Sequence, residues 1–157
     1  MSKFAANTSV SVNKSKAEIE AIVERYGATG FMSAWTTDKA LIAFAMEGRQ
    51  VRFTLSMPLK SNPEFTEYKQ GRSTFLRTEA QALARWEQAC RQRWRALALV
   101  IKAKLEAVET GISVFEDEFM ANVVMPNGRT VSEEVRPLIA EAYATGKVQA
   151  LLPDYSA

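Results

Sequence analysis

The sequence contains no histidine and a single cysteine, Cys90. Without histidine the chain lacks the commonest general base and the commonest metal ligand of proteins, and catalytic triads that use histidine are excluded. One cysteine cannot form an intrachain disulfide, which favours a reducing cytoplasm and argues against a zinc site. We therefore predict a protein that is not an enzyme, with no catalytic residues, no bound metal and no cofactor.

Long apolar runs are also missing. No stretch approaches the roughly 18 apolar residues that a membrane-spanning helix needs, and residues 1–12, which are rich in Ser, Ala and Asn, lack the apolar core of a signal peptide. The phosphate-binding, dinucleotide-binding and nucleophile-elbow motifs are absent as well. We expect no membrane partner and find no motif for a known catalytic site.

Charge is distributed unevenly along the 157 residues. Residues 1–68 carry 8 basic and 7 acidic side chains. Residues 69–104 carry 9 basic and 2 acidic side chains, and residues 105–157 carry 3 basic and 9 acidic side chains. A chain of this length fits one domain. The segregation predicts a basic centre and an acidic end within that domain.

The first part of the chain predicts a helix followed by a sheet. Residues 1–14 read as a flexible tail, and the capping-box pattern Ser15-Lys16-Ala17-Glu18 predicts the start of a helix that Gly27 ends. Strands are predicted over residues 30–37, 40–46 and 50–57, because the last of them alternates apolar and polar side chains and the connections are short. The fold class is α+β: a three-stranded antiparallel meander packed on one long basic helix, with a small helical C-terminal part.

That helix is predicted over residues 78–110, after a loop at 58–77 that shows no periodicity and is expected to be either mobile or functional. Thr78 and Gln81 form a second capping-box pattern. One apolar stripe runs along the helix: Leu83, Trp86, Cys90, Trp94, Leu97, Ile101, Leu105 and Val108. The stripe favours core packing for the two tryptophans over base stacking, and a buried, inert Cys90 over a reactive thiol.

The remaining residues, 111–157, predict a small helical and hairpin cap. A short helix is expected within residues 112–122, a turn at Pro126-Asn127-Gly128, and a helix from the capping-box pattern at Thr130 to about Thr145. The apolar side chains of the last segment are expected to pack on the domain; they are Leu151, Leu152 and Tyr155.

Two charged groups are candidates for function. Arginine and lysine side chains of the basic segment could neutralise phosphates, with Phe75 available to stack on a base; the cations are Arg72, Arg77, Arg85, Arg91, Arg93, Arg95 and Lys102. Alternatively, these cations form a solvated helix face and pair with carboxylates of the acidic last third of the chain. The acidic run Glu116, Asp117 and Glu118 could bind a basic partner or help to hold Mg²⁺. Neighbours on a helix point apart, however, and the alternative is a solvated acidic surface.

Several segments resemble a family of small phage and prophage proteins of unassigned function. They are WEQACRQRWRAL at 86–97, IKAKLE at 101–106, YGA at 26–28, PEFT at 63–66, MPNG at 125–128 and AYATG at 142–146. The resemblance implies a phage setting, in the cytoplasm of a bacterial host cell, where such genes often lie near recombination and replication genes. The order of three strands and a basic helix is also similar to phage single-strand annealing proteins of the Rad52 and RecT type.

Three functional hypotheses follow. The first is a non-catalytic accessory protein of phage DNA recombination or replication that binds nucleic acid, single-stranded DNA in particular. The second is a protein-binding inhibitor or adaptor that acts on a host defence or transcription complex through its acidic end. The third is a carboxylate-based, Mg²⁺-dependent nuclease. The segregated charge is also compatible with a homo-oligomer that assembles head to tail.

Overall fold

The computed structural model describes residues 5–150, which form an α+β domain. Its helices and strands follow one another in the order α1 Val12–Arg25, β1 Gly30–Trp35, β2 Lys39–Met46, β3 Arg49–Ser56, α2 Pro63–Thr66, β4 Glu67–Gln70, β5 Ser73–Leu76, α3 Glu79–Glu109, α4 Phe115–Phe119, a 3₁₀ turn at Met120–Asn122, and α5 Val131–Thr145. The predicted fold class is confirmed.

Strands β1, β2 and β3 form the predicted antiparallel meander with β2 at its centre. The turn between β2 and β3 places Glu47 and Gly48 at positive φ, as a two-residue hairpin turn requires. Along β2 every second side chain is buried, because one face of the sheet packs on the helices; these side chains are Ala40, Ile42, Phe44 and Met46.

Helix α3 lies on this buried face. It begins at the predicted capping box, in which Thr78 and Gln81 each bond the other's backbone N–H, and it ends at Glu109 before Gly111 at positive φ. The C-terminal part of the chain completes the core through Phe119, whose ring meets Phe44 and Phe53 edge-on at 5.8 and 6.3 Å.

Helix α1 packs beside α3 and starts earlier than predicted. The Ser11 hydroxyl accepts the first-turn N–H of Lys14, so Ser11 is the cap, and Ser15 lies fully buried inside the helix with no hydrogen bond to its hydroxyl. The extra turn forms because Val12 packs against the core. Residues 12–14 are therefore helix and not tail.

The segment at 58–77 is not structureless, which corrects the prediction. Pro63 opens the short helix α2, whose Phe65 is buried, and β4 and β5 form a hairpin whose turn uses Gly71 at positive φ. Elements of four residues are too short to show a period in the sequence, so the pattern could not reveal them.

The C-terminal cap follows the prediction. Val123 and Val124 add short bridges to β3 and to Thr130, and the capping box at Thr130 and Glu133 starts α5, which ends at Gly146. The apolar residues expected to pack from the last segment, Leu151, Leu152 and Tyr155, lie outside the described residues. No helix within residues 5–150 has the length and apolar character to cross a membrane.

Candidate binding site

Three of the predicted phosphate-binding arginines have contacts inside the protein. Arg77 donates to the backbone carbonyls of Glu64 and Phe65, at 3.3 and 3.2 Å, and to that of Glu67. Arg91 donates to the Gln88 side chain, and Arg95 forms a half-buried ion pair with Glu18 of α1. These side chains stabilise the fold, so they do not form an open row of cations.

The other four predicted cations are exposed, and none has a carboxylate partner among the described residues; they are Arg72, Arg85, Arg93 and Lys102. Since a helix advances about 100° per residue, Lys102 lies on the side of α3 opposite Arg93. Arg72 lies on the β4–β5 turn. The structure therefore does not bring the seven predicted residues together as one continuous strip.

The acidic run is tied into the fold. The Glu116 carboxylate pairs with Arg49 at 2.9 Å, and that of Glu118 lies 3.4 Å from Lys104, which also donates to the Glu118 carbonyl at 2.7 Å. Asp117 is exposed between them. Within residues 5–150 no three potential metal ligands cluster together. The carboxylates of Glu116 and Glu118 form ion pairs that link α4 to β3 and to α3.

A cavity lies at the other end of the sheet, and we call it the tryptophan pocket. It has a volume of about 660 Å³ and is enclosed by α1, α3, the β1–β2 turn and residues 57–61. The chain contains three tryptophans, Trp35, Trp86 and Trp94, and all three line this pocket. Their rings come from two elements that are far apart in sequence.

The rings of Trp94 and Trp86 are held in place. Trp94 is buried, and the ammonium group of Lys16 lies 4.8 Å from its ring centre. The indole N–H of Trp86 donates to the carbonyl of Pro58 at 2.7 Å, and the Lys60 ammonium lies 4.4 Å from its ring centre. These hydrogen-bond and cation–π contacts hold both rings in place.

Trp35 differs from the other two because 76% of its surface is exposed. It is the last residue of β1 and lies at the rim of the pocket, where the strand enters the β1–β2 turn. An exposed indole offers a large, rigid aromatic surface at low entropic cost, and tryptophan is accordingly enriched where proteins bind other molecules.

The electrostatics of the pocket are one-sided. Among its described lining residues the only charged side chains are Lys16 and Lys60, and the polar side chains are hydroxyls of Thr36, Thr37 and Ser61. Apolar walls with a few placed polar groups are typical of ligand sites. Aromatic walls beneath two ammonium groups suit a planar ring that carries negative charge nearby.

Cys90 also lines the pocket, between Trp86 and Trp94, and is a buried free thiol as predicted. Burial raises its pKa above the ordinary value, which keeps the thiol protonated at neutral pH. Because the thiolate is the reactive form, Cys90 contributes packing rather than nucleophilic chemistry.

Sequence reasoning found Trp86 and Trp94 but interpreted both as core, and it missed Trp35, Lys16 and Lys60. Trp94 does belong to the core, whereas Trp86 is only partly buried and lies against the pocket. The missed residues come from β1, α1 and the connection after β3, and only the tertiary fold brings them to α3. One feature of the sequence points to the pocket: its tryptophans lie in the first predicted strand and in the long predicted helix, which were expected to pack on each other.

Comparison with known proteins supplies no relative: no family model, no curated protein and no solved structure matches the chain.

Proposed function

We propose that this protein binds single-stranded nucleic acid without catalysing a reaction, and that the tryptophan pocket receives an unpaired base. The observation that carries the proposal is the convergence of Trp35, Trp86 and Trp94 around a cavity whose charged lining residues are Lys16 and Lys60. The phage setting and a role in DNA recombination or replication rest on the sequence resemblance.

Stacking provides the main binding energy in this account. Each base that stacks on an aromatic side chain contributes about 1–3 kcal/mol, and the interaction tolerates any base because every base has a π-face. Bases within a duplex are already stacked on one another and cannot enter a pocket without unpairing, which costs a few kcal/mol. We therefore expect a preference for single strands.

The two lysines supply the electrostatic part. The ammonium groups of Lys16 and Lys60 lie over the rings of Trp94 and Trp86 in the same pocket. A base that stacks on the exposed ring of Trp35 therefore brings its phosphates toward these two cations. Each phosphate neutralised on a single strand contributes roughly 0.7 to the slope of log affinity against log salt concentration. Binding should therefore weaken as salt increases.

The aromatic part is tested with Trp35→Ala, measured by fluorescence anisotropy of labelled single-stranded and duplex oligonucleotides. Loss of one stacking surface predicts a fall in single-strand affinity of about 5- to 150-fold, which corresponds to 1–3 kcal/mol. Tyr143→Ala is the matched control, because Tyr143 is an aromatic residue that is 89% exposed and lies on α5 away from the pocket. Equal binding by wild type and Trp35→Ala would contradict the proposal.

The electrostatic part is tested by reversing both pocket cations, Lys16→Glu with Lys60→Glu, across a salt series. Removal of two phosphate contacts should lower the salt slope by roughly 1.4 and weaken binding at low salt. Lys14→Glu with Lys147→Glu makes the same change in net charge at two exposed positions outside the pocket. If the control pair lowers the slope as much as the pocket pair does, general charge attraction explains the binding.

One observation favours the alternative of a protein-binding adaptor. Helix α5 has no buried side chain, and Ile139 and Tyr143 are exposed on it. This surface, and not the paired carboxylates of Glu116 and Glu118, is where such a partner would bind. A photo-crosslinkable residue at position 143 should then give one defined host-protein adduct that Ile139→Asp suppresses, and the absence of such an adduct would exclude this function for α5.

A further inference from the structure

The β4–β5 hairpin exposes a pair of aromatic rings. Tyr68 and Phe75 lie opposite each other on the two strands, and their rings stack with centres 5.6 Å apart and planes inclined by 28°. Tyr68 is 40% exposed and Phe75 is 45% exposed. The rings pack on each other and leave part of their surface open to solvent.

The hairpin is held at its base. An isolated two-stranded hairpin is at best marginally stable in water. Here the Arg77 guanidinium donates to the backbone carbonyls of Glu64 and Phe65 in α2 and of Glu67, the first residue of β4. The same guanidinium lies 5.7 Å from the ring centre of Tyr68. Arg77 therefore fixes the direction in which the hairpin leaves the domain.

The charge of the hairpin complements a polyanion. Lys69 lies on β4 and Arg72 at the turn, both exposed and without a carboxylate partner in the part of the chain that the structure describes. The one acidic residue of residues 67–76 is Glu67, at the base. Aromatic rings combined with nearby cations are the features by which proteins bind single strands without sequence preference.

We infer that the hairpin is a second contact for the strand whose base occupies the tryptophan pocket, and this inference rests on the function proposed above. A base stacks on the pair formed by Tyr68 and Phe75, while Arg72 at the turn binds a flanking phosphate. The hairpin leads through Arg77 directly into α3, and Trp86 lies eight residues after the cap Thr78, about 12 Å along the helix axis. The hairpin and the pocket therefore both adjoin the N-terminal half of α3.

The experiment compares a trinucleotide with a longer oligothymidylate, for the double variant Tyr68→Ala with Phe75→Ala and for wild type. The longer strand should bind about 5- to 150-fold more weakly to the variant, because one stacking contact is lost. The trinucleotide, which fills the pocket alone, should bind both proteins equally. Tryptophan fluorescence reports occupancy of the pocket in each case.

Two further variants distinguish the loss of a binding contact from a failure of the hairpin to fold. Arg72→Glu keeps the aromatic pair and should reduce the salt slope of the longer strand alone by roughly 0.7. Tyr68→Phe with Phe75→Tyr keeps two stacked rings and should bind like wild type. Unchanged binding of the longer strand by both the alanine and the charge variants would overturn the inference, as would equal weakening of the trinucleotide.

The outcomes separate the two proposals. If Trp35→Ala leaves all binding unchanged while the hairpin variants weaken it, the pocket proposal fails and the hairpin is a site in its own right. If Trp35→Ala weakens both strands and the hairpin variants weaken neither, the pocket stands and the second contact is wrong.

Discussion

The two halves of α3 carry the same apolar spacing and have different surroundings. In the C-terminal half, Leu97, Ile101 and Leu105 are buried against the sheet and the C-terminal cap. In the N-terminal half, Leu83 is 42% exposed and Trp86 is only partly buried beside a cavity. The difference lies in what faces the helix, since the sheet covers one half and the β1–β2 turn with residues 57–61 leaves a gap opposite the other.

The comparison shows what an apolar stripe can and cannot predict. Spacing identifies the face of a helix that avoids water, but it does not reveal whether that face meets a packed core or the wall of a pocket. In this chain the stripe passes from one role to the other within a single helix, between Trp86 and Leu97.

The largest expected effect is at Phe119 of α4, which belongs to the same core as the C-terminal half of α3. Phe119→Ala should lower the free energy of unfolding by about 3–5 kcal/mol, because it removes a fully buried ring that contacts Phe44, Phe53 and Phe115. Urea denaturation followed by circular dichroism measures the change. Met120→Ala, at the exposed neighbouring position, should change it by no more than about 0.5 kcal/mol.

The two halves of the stripe are compared directly by truncating one leucine in each. Leu97→Ala should cost about 2–5 kcal/mol in unfolding free energy, whereas Leu83→Ala should cost no more than about 0.5 kcal/mol because its side chain is already solvated. Urea titrations of both variants provide the values. Similar losses from the two substitutions would show that the N-terminal half is packed as tightly as the other.

A smaller effect is expected at the start of α5, which is fastened to β3 by the ion pair between Arg52 and Glu133 at 2.9 Å. Thr130→Ala removes the hydroxyl that accepts the Glu133 N–H and should cost about 0.5–2 kcal/mol. Thermal unfolding gives the comparison. Retention of wild-type stability would show that packing, and not the cap, holds α5.

The smallest effect is a dependence on pH. The backbone N–H of Thr130, 2.8 Å from the carboxylate, and then the Arg52 guanidinium hold the pKa of Glu133 below its ordinary value of 4.5. Because the folded state holds the carboxylate form more strongly than the unfolded state, Glu133 contributes to stability at any pH above its ordinary pKa. That contribution to stability is lost as the pH falls through the pKa of the folded state. The stability difference between wild type and Glu133→Gln should therefore be constant near neutral pH and shrink below about pH 4.5. A difference that grows on acidification would contradict this assignment.

The elements with strong local signals were predictable. Capping boxes at Thr78 and Thr130 gave the starts of α3 and α5, and alternation along residues 50–57 gave the third strand, because these patterns depend on nearby residues. The predicted start of α1 was wrong. Ser15 fits the sequence pattern of a helix cap, but the helix begins one turn earlier, where Val12 packs against the core.

The candidate site was less predictable, because it depends on tertiary contacts. Charge counting identified arginines, yet Arg77 and Arg95 have partners inside the domain that no local pattern announces. The pocket needs Trp35 from β1 and Lys60 from the connection after β3 to meet α3. That meeting follows from how the sheet lies on the helix, and it cannot be derived from spacing along the chain.

The central claim is tested most directly by the three indole N–H resonances in a ¹H–¹⁵N NMR spectrum, assigned by substituting each tryptophan in turn. Titration with a short single-stranded oligothymidylate should move the signals of Trp35, Trp86 and Trp94 together, with one common dissociation constant. Saturable shifts of backbone amides elsewhere, with all three indole signals unmoved, would show that the strand binds outside the pocket.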